Sequence, residues 1–288
     1  MPDNFTFIAS GGRTGTQFLG HCMSSAVEDC FSVHEPDIFQ GWSPETLANI
    51  RQFGLWHMTG ARALGRSGIR ALGTRYLTGR SDFDATAKRL RAQRAAYHAS
   101  LSASLIVESY YAWWMVAPRL REIFPGAALI GIVRDPRHWI ASWLARAPGR
   151  GSGHWTHRLP PGPLTAITLG DERWSSQWEA LPEVAKLAWQ WQLINGTLAR
   201  AEDDGVLAMF RFEDVFDPAS DALPCLLESA TSFAGRSYRH DDLRPALAKR
   251  HNQSSAKAED WQGWPLAERC LVNEMCGPLM ERFGYPPV

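Results

Sequence analysis

The sequence lacks the features that mark several large classes of protein. Its 288 residues contain only five cysteines, with scattered spacing and no CxxC pair, which argues against a disulfide framework and against a zinc site. The strongest apolar run, residues 127–133, has the length of a strand and not the roughly 18 residues of a membrane-spanning helix. Lys plus Arg and Asp plus Glu each number 30, so the chain has no net charge and we do not expect it to bind nucleic acid.

A basic, apolar leader is also missing, because only four residues precede the first strand-like run. We therefore expect a cytoplasmic protein with no membrane span. Hydrophobic residues make up 45% and charged residues 21%, which is typical of a soluble globular fold and excludes a disordered chain.

Short apolar runs alternate with segments of helical spacing along the chain. The strand-like runs are residues 5–9, 31–35, 105–108, 127–133 and 206–212, and the clearest helical segments are 18–27, 115–123, 136–146 and 184–198. This alternation predicts one α/β domain over residues 1–288, with a mostly parallel central sheet and helices on both faces. Two segments interrupt the pattern: a helical or irregular insert at about 40–100, and a loop at 148–163 in which eight of sixteen residues are Gly or Pro.

The first strand-like run ends in a glycine-rich turn, Ser10-Gly-Gly-Arg-Thr-Gly15, and a helix follows. A glycine turn at a helix N-terminus presents backbone N–H groups and partial positive charge to an anion. The turn also carries the cation of Arg13 and the hydroxyls of Thr14 and Thr16. It departs from the G-x-x-x-x-G-K-[ST] loop of triphosphate-binding proteins, because Thr16 and Gln17 stand where Lys and a hydroxyl residue are expected. The turn therefore favours a phosphate-bearing ligand that is held without a bridging metal.

A second polar cluster follows the run at 127–133. Arg134 and Ser142 are eight residues apart, so a helix between them would bring the hydroxyl near the guanidinium. An arginine with a hydroxyl suits a second phosphate group. Taken alone, an Arg134–Asp135 pair that caps the helix is the simpler interpretation.

Together, the two segments resemble the sulfotransferases that use 3′-phosphoadenosine 5′-phosphosulfate (PAPS). Residues 10–19 are similar to the 5′-phosphosulfate loop of that family, and Arg134 with Ser142 is similar to its 3′-phosphate motif, including the spacing. Residues 117–125, 211–214 and 277–285 add to a resemblance that is weakest over 40–100 and 145–180. The donor-binding residues that it implies are Gly11, Gly12, Arg13, Thr14, Gly15, Thr16, Gln17, Phe18, Arg134 and Ser142.

The resemblance implies a P-loop-related fold and metal-free, in-line transfer of a sulfuryl group from PAPS to an acceptor. The acceptor group would be a hydroxyl, less readily an amine, of a small molecule or glycan. Three departures stand out: Thr14 replaces the usual Ser, Gln17 replaces a hydroxyl residue, and the frequent Lys near the end of the third strand is absent. Phe18 stands where the family often places an aromatic residue beside adenine, although its helical spacing fits a core position equally well.

The resemblance also implies catalytic roles. Arg13 would stabilise charge on the leaving oxygen, and Glu35 would be the base that takes the acceptor proton. His34 is the alternative base and Glu108, near the end of the third strand-like run, is a further candidate. Because neighbouring strand residues point to opposite faces, we do not expect His34 and Glu35 to reach the site together.

Other features leave their roles open. Residues 62–94 hold eight Arg and one Lys against two Asp, a net charge of +7, which fits either an anion-steering surface or a solvated helical face. The loop at 148–163 is a candidate lid. Five tryptophans are candidate walls of an acceptor pocket: Trp42, Trp56, Trp113, Trp114 and Trp155.

We expect no metal site, since only His154 and His157 approach ligand spacing. The cluster Lys249-Arg-His251 either approaches the donor or ends a solvated helix. Two other functions compete: a nucleotide-dependent kinase in which Asp135 binds Mg²⁺, and a non-catalytic phosphonucleotide-binding protein.

Overall fold

The structure is a computed structural model that describes residues 4–38, 42–146, 161–239, 243 and 261–288. Its centre is a five-stranded parallel sheet with the strand order β2-β3-β1-β4-β5. The strands are β1 (Asn4–Ser10), β2 (Cys30–His34), β3 (Leu105–Ser109), β4 (Ala128–Val133) and β5 (Ala208–Arg211). The predicted fold class is confirmed, and each of the five strand-like runs forms a strand.

Helices follow or precede every strand. They are α1 (Thr16–Ala26), α2 (Pro44–Phe53), α3 (Ile69–Leu77), α4 (Phe83–His98), α5 (Leu120–Ile123), α6 (Pro136–Arg146), α7 (Ala166–Leu169), α8 (Glu183–Asp203), α9 (Phe212–Val215), α10 (Ala222–Thr231) and α11 (Leu266–Arg282). A short π-helix, His57–Ala61, lies between α2 and α3, so the insert near 40–100 is largely helical. That the chain forms one domain stays a prediction.

Two hydrophobic cores cover the two faces of the sheet. Phe7 and Ala9 of β1 point into the larger core, and Ile8 between them points into the smaller one. This alternation is the pleat of a strand that is buried on both sides. The result is a three-layer α/β arrangement in which β1 is the central strand.

The segment after β3 departs from prediction. A continuous helix was expected over 115–123, but residues Tyr111–Arg119 form a 3-10 helix and only Leu120–Ile123 is α-helical. Pro118 lies inside the segment, and proline has no N–H to donate and clashes with an α-helical turn. Trp113 and Trp114 are 0% and 2% exposed in the larger core, so the expectation that they wall an acceptor pocket is wrong.

The strand order places a crevice at the end of β1. The chain passes from β1 through α1 to β2 and β3 on one side, and then crosses to β4 and β5 on the other. In open parallel sheets, ligands bind outside the carboxyl ends of the strands at such a switch point. The glycine turn follows β1 and Arg134 follows β4, so both predicted anion-binding segments lie at this edge.

Candidate anion-binding and transfer site

The glycine turn is built from left-handed backbone conformations. Gly12, Arg13 and Gly15 have φ angles of 72°, 58° and 75°. Arg13 is a non-glycine residue in this region, which is uncommon and carries strain. The N–H of Gly12 donates to the hydroxyl of Ser10 at 3.0 Å, which tightens the turn. A turn of this kind can direct backbone N–H groups toward one point just before α1.

Two buried indoles hold the backbone of the site. Nε1 of Trp139 on α6 donates to the carbonyl of Gly12 at 2.9 Å and to that of Gly11 at 3.2 Å. Nε1 of Trp191 on α8 donates to the carbonyl of Arg134 at 2.8 Å. Sequence reasoning missed both residues. A buried indole N–H requires a partner, but the carbonyls it finds here lie 127, 128 and 57 residues away in the chain.

The two predicted anion-binding segments touch through Arg13. Its Nε donates to the Ser142 hydroxyl at 3.0 Å, and its carbonyl accepts from Nη1 of Arg134 at 2.8 Å. Burial lowers the pKa of Arg134, and the like charge of Arg13 lowers it further against the opposing effect of Glu213. Nε of Arg134 is buried with no hydrogen-bond partner among the residues described. The two arginines thus bring positive charge together at this edge of the sheet, and Arg134 has a buried donor without a partner among the residues described.

The other predicted residues of the loop differ in exposure. Thr14 is fully buried, and its hydroxyl has no hydrogen-bond partner within the described part of the chain. Thr16 is 5% exposed, and its carbonyl accepts from the hydroxyl of Ser109 at 2.7 Å. Gln17 is exposed on the first turn of α1. The Ser109 hydroxyl therefore joins the end of β3 to the start of α1.

Three phenylalanines border the turn on the side of α9. Phe18 is 8% exposed in the smaller core, where its ring centroid lies 5.4 Å from that of Phe216. Phe216 also covers Gly15, since a Cβ there would lie 2.2 Å from its Cζ. The guanidinium of Arg134 lies over the ring of Phe212, with its Cζ 4.5 Å from the centroid. Phe18 thus has a core contact, and its role beside adenine stays a prediction.

Glu213 joins three segments that are far apart in the sequence. One carboxylate oxygen accepts from the backbone N–H of Asp135 at 3.0 Å, and the other accepts from the hydroxyl of Tyr285 at 2.7 Å. The segments 211–214 and 277–285 therefore support the Arg134 loop. Asp135 is 4% exposed. Its two carboxylate oxygens accept hydrogen bonds from Nε of Arg137, at 2.9 Å for Oδ1 and 3.0 Å for Oδ2. Because Arg137 occupies both oxygens, Asp135 is poorly placed to bind Mg²⁺.

The two leading base candidates lie on the same side of β2. The Nδ1 of His34 donates to the carbonyl of Ser109 at 2.9 Å, which leaves Nε2 as an acceptor. Nε2 is 3.8 Å from Oε2 of Glu35. The expectation that the two side chains point apart is wrong, because Glu35 has a φ of 47° and has left the strand conformation. Burial lowers the pKa of His34 to about 4, so its imidazole is neutral near pH 7.

Glu108, the third candidate, lies elsewhere. It is 1% exposed, and its two oxygens contact Nε of Arg94 at 2.9 Å and Nε2 of His98 at 2.7 Å. Nη1 of Arg94 also donates to Asp37 at 2.9 Å. Glu108 therefore belongs to a buried ion network, which argues against its role as the base.

The basic segment 62–94 is divided between the interior and the surface. Arg94 is fully buried, so the segment is not one solvated face. Arg70 at the start of α3 has its pKa raised by Tyr111 and, to a smaller extent, by Glu35. This arginine therefore lies within electrostatic reach of Glu35.

Several predicted features fall outside the described residues: His154, Trp155, His157, most of the 148–163 loop, and Lys249-Arg-His251. Within the described ranges, no group of three His, Cys, Asp or Glu side chains is arranged to hold a metal ion. Over the same ranges, no helix has the length and apolar character needed to cross a membrane.

Comparison with known proteins gives a distant likeness to a solved structure and no match by sequence. No protein-family profile and no curated protein matches the sequence. Among solved structures, the chain is similar to a sulfotransferase domain from the curacin biosynthetic pathway. The similarity covers 100% of this chain and 99% of that domain, with 13% sequence identity and a TM-score of 0.45. These values describe a remote likeness of chain path, so the function has to be argued from the residues of the site.

Proposed function

We propose that the protein is a sulfotransferase that moves the sulfuryl group of PAPS to a hydroxyl of a small-molecule or glycan acceptor. The observation that carries the proposal is the junction at Arg13. One residue of the glycine turn bonds Ser142 with its side chain and Arg134 with its carbonyl. Such a junction suits a donor with two anionic ends, one in the turn and the other at Arg134 and Ser142.

The turn is suited to the leaving end of the donor. In the transfer, the bond from sulfur to the bridging oxygen breaks while sulfur bonds the acceptor oxygen, and negative charge grows on the bridging oxygen. The amides at the start of α1 and the Arg13 guanidinium are fixed before the reaction, so they stabilise this charge without reorganising. The indole of Trp139 keeps the carbonyls of Gly11 and Gly12 engaged, which directs the turn's N–H groups to the ligand.

Glu35 is the proposed base that receives the acceptor proton. Its side chain is 14% exposed at the end of β2. Ser109 connects this end to α1, because its carbonyl accepts from His34 and its hydroxyl donates to the carbonyl of Thr16. His34 is the alternative, because its Nε2 is an acceptor in a neutral ring. Comparing Glu35→Gln with His34→Gln separates the two candidates. The variant that lacks the base should lose turnover and still bind the donor.

The first test is calorimetric titration of 3′-phosphoadenosine 5′-phosphate (PAP), the desulfated donor, in EDTA. We expect micromolar binding to the wild type and loss of that binding in Arg134→Ala/Ser142→Ala. Arg173→Ala is the matched control, because Arg173 is exposed and pairs only at the surface with Glu274. A screen of hydroxyl acceptors with labelled PAPS then tests transfer.

Two outcomes of this test contradict the proposal. Binding of ADP only with Mg²⁺, and none of PAP, would favour a kinase. Tight PAP binding with no transfer to any acceptor class, and no effect of Glu35→Gln, would favour a non-catalytic phosphonucleotide-binding protein.

A further inference from the structure

The outer face of α2 carries exposed apolar side chains where a surface helix is normally polar. Pro44, Leu47 and Ala48 are exposed at helical spacing and Arg51 follows them on the same face, whereas Thr46 is only 4% exposed. Leu47 has 45% of its surface in solvent. An amphipathic surface helix turns its apolar stripe to the core, so α2 has an apolar face that the described structure does not cover.

The following segment repeats the pattern. Leu55, Trp56 and Leu64 are 56%, 65% and 49% exposed. Trp56, Gly60 and Leu64 are four residues apart and so follow one face of the helical stretch. The ring of Trp56 lies against Gly60, since a Cβ there would be 2.1 Å from its Cζ3. The tryptophan is therefore held in place while most of its surface stays in solvent.

These side chains, with Trp42 at 75% exposure, form what we call the outer apolar surface: Trp42, Leu47, Leu55, Trp56 and Leu64. Eight large hydrophobic side chains are exposed in the described ranges, and five of them fall within these 23 residues. Exposed apolar residues that are scattered singly need no explanation, but a concentration of this kind marks an interaction site.

The charge of the same segment is one-sided. Residues 42–70 contain four arginines and a single acidic residue, Glu45. Arg51, Arg66 and Arg70 are exposed. The occupant that complements this segment carries negative charge and accepts apolar side chains.

We propose that the outer apolar surface binds to an anionic lipid bilayer. Leucine and tryptophan side chains on a surface helix insert at the level of the lipid headgroups, and flanking arginines attract anionic lipids. A protein partner would need a complementary surface of about 1,000 Å² or more. The π-helix that follows Trp56 is tied to the candidate site, because Arg62 directly after it donates to the carbonyl of Asp37 at 2.8 Å. Binding would therefore bring the Glu35 end of the site to the lipid surface.

The test is co-sedimentation with vesicles of phosphatidylcholine alone and of phosphatidylcholine with about one-third phosphatidylserine. We expect binding to the anionic vesicles that weakens as salt rises, since salt screens the arginines. Leu47→Ser/Trp56→Ser should abolish it, whereas Leu266→Ser, at a leucine of α11 that is 69% exposed, should leave it unchanged. A basic residue near an anionic surface contributes about 1 kcal/mol, or about fivefold in binding, so Arg51→Glu/Arg66→Glu should weaken it more than 20-fold.

Circular dichroism of each variant checks that it is folded. If the apolar variant, Leu47→Ser/Trp56→Ser, does not fold, the charge variant, Arg51→Glu/Arg66→Glu, still tests the proposal. The proposal is overturned if the wild type does not sediment with anionic vesicles at low salt, or if both variants bind as well as the wild type. It is also overturned if the apolar variant removes a dimer seen by light scattering and nothing else, because the surface would then bind a second copy. PAP titration of the same variants is independent, so failure here does not bear on donor binding.

Discussion

Arg13 and Ser142 are joined by a hydrogen bond of 3.0 Å between Nε and Oγ, although 129 residues separate them in the sequence. The bond spans the crevice at the end of β1, from the glycine turn to α6. It fixes the direction of a side chain that already sits on a strained backbone with a φ of 58°. The cation of the turn is therefore positioned from two sides before any ligand arrives.

Removing the Arg13 guanidinium should slow transfer with little effect on folding. Loss of one preorganised donor to a developing oxyanion costs about 3–4 kcal/mol, so Arg13→Ala should lower kcat by about 10²–10³. Ser142→Ala should lower it less, because the charge remains while its direction is lost. Release of labelled PAP at saturating acceptor measures both, with Arg173→Ala as the control. Equal rates in Arg13→Ala and wild type would remove Arg13 from the mechanism.

Close packing of α1 on β2 makes Gly20 indispensable. A Cβ at Gly20 would lie 2.7 Å from Cβ of His34 and 2.8 Å from its Cα and N, so the backbone of β2 would have to shift although it is hydrogen-bonded to β3. Gly20→Ala should destabilise the protein by about 1–3 kcal/mol in urea unfolding, despite the better helix propensity of alanine.

Gly196→Ala is the matched control for this substitution. Gly196 lies inside α8, and its nearest neighbour would be Cδ1 of Leu279 at an ordinary 3.6 Å. This change should stabilise by about 0.5–1 kcal/mol. If both substitutions change the free energy of unfolding in the same direction, the close contact between Gly20 and His34 does not limit the residue at position 20.

The sequence predicted the strands and both anion-binding segments because those signals are local. The run at 127–133 needs no knowledge of its neighbours to be identified as a strand, and the glycine turn is contiguous. The same local rule failed at Glu35. Strand alternation assumes an extended backbone, and the left-handed conformation of Glu35 breaks that assumption at one residue.

Contacts between remote segments were beyond sequence reasoning. Nothing near Arg94 indicates that it ends between Asp37 and Glu108, which are 57 and 14 residues away. Counting charges over 62–94 therefore mixed a buried structural cation with surface ones. The sequence around Trp191 also does not indicate that its indole N–H donates to the carbonyl of Arg134.

Arg94 should be among the most sensitive positions for stability. It is 0% exposed and contacts Asp37 and Glu108, each at 2.9 Å. Arg94→Met would leave two buried carboxylates without their cation, and removing one partner of a buried ion pair typically costs about 3–5 kcal/mol. Urea unfolding should show such a loss.

Two further variants check that prediction. Arg173→Met, at an exposed pair, should change stability by about 0–1 kcal/mol. Replacing the network as a whole, with Arg94→Met/Asp37→Asn/Glu108→Gln, should recover part of the loss because no charge is then left unpaired. A small effect of Arg94→Met alone would show that water reaches these carboxylates.

His34 should make stability depend on pH in the weakly acidic range. Its pKa is lowered from 6.5 to about 4 in the fold, chiefly by burial, so the unfolded chain binds more protons between these values. The stabilisation is therefore complete above about pH 6.5 and is lost as the pH falls toward 4, by about 2 kcal/mol between pH 7 and pH 5. His34→Gln removes the titration, so urea unfolding of this variant should show a smaller loss over that interval by about this amount. His138→Gln, at an exposed histidine, should lose stability as the wild type does. Equal losses in His34→Gln and wild type would mean that the fold does not lower the pKa of His34.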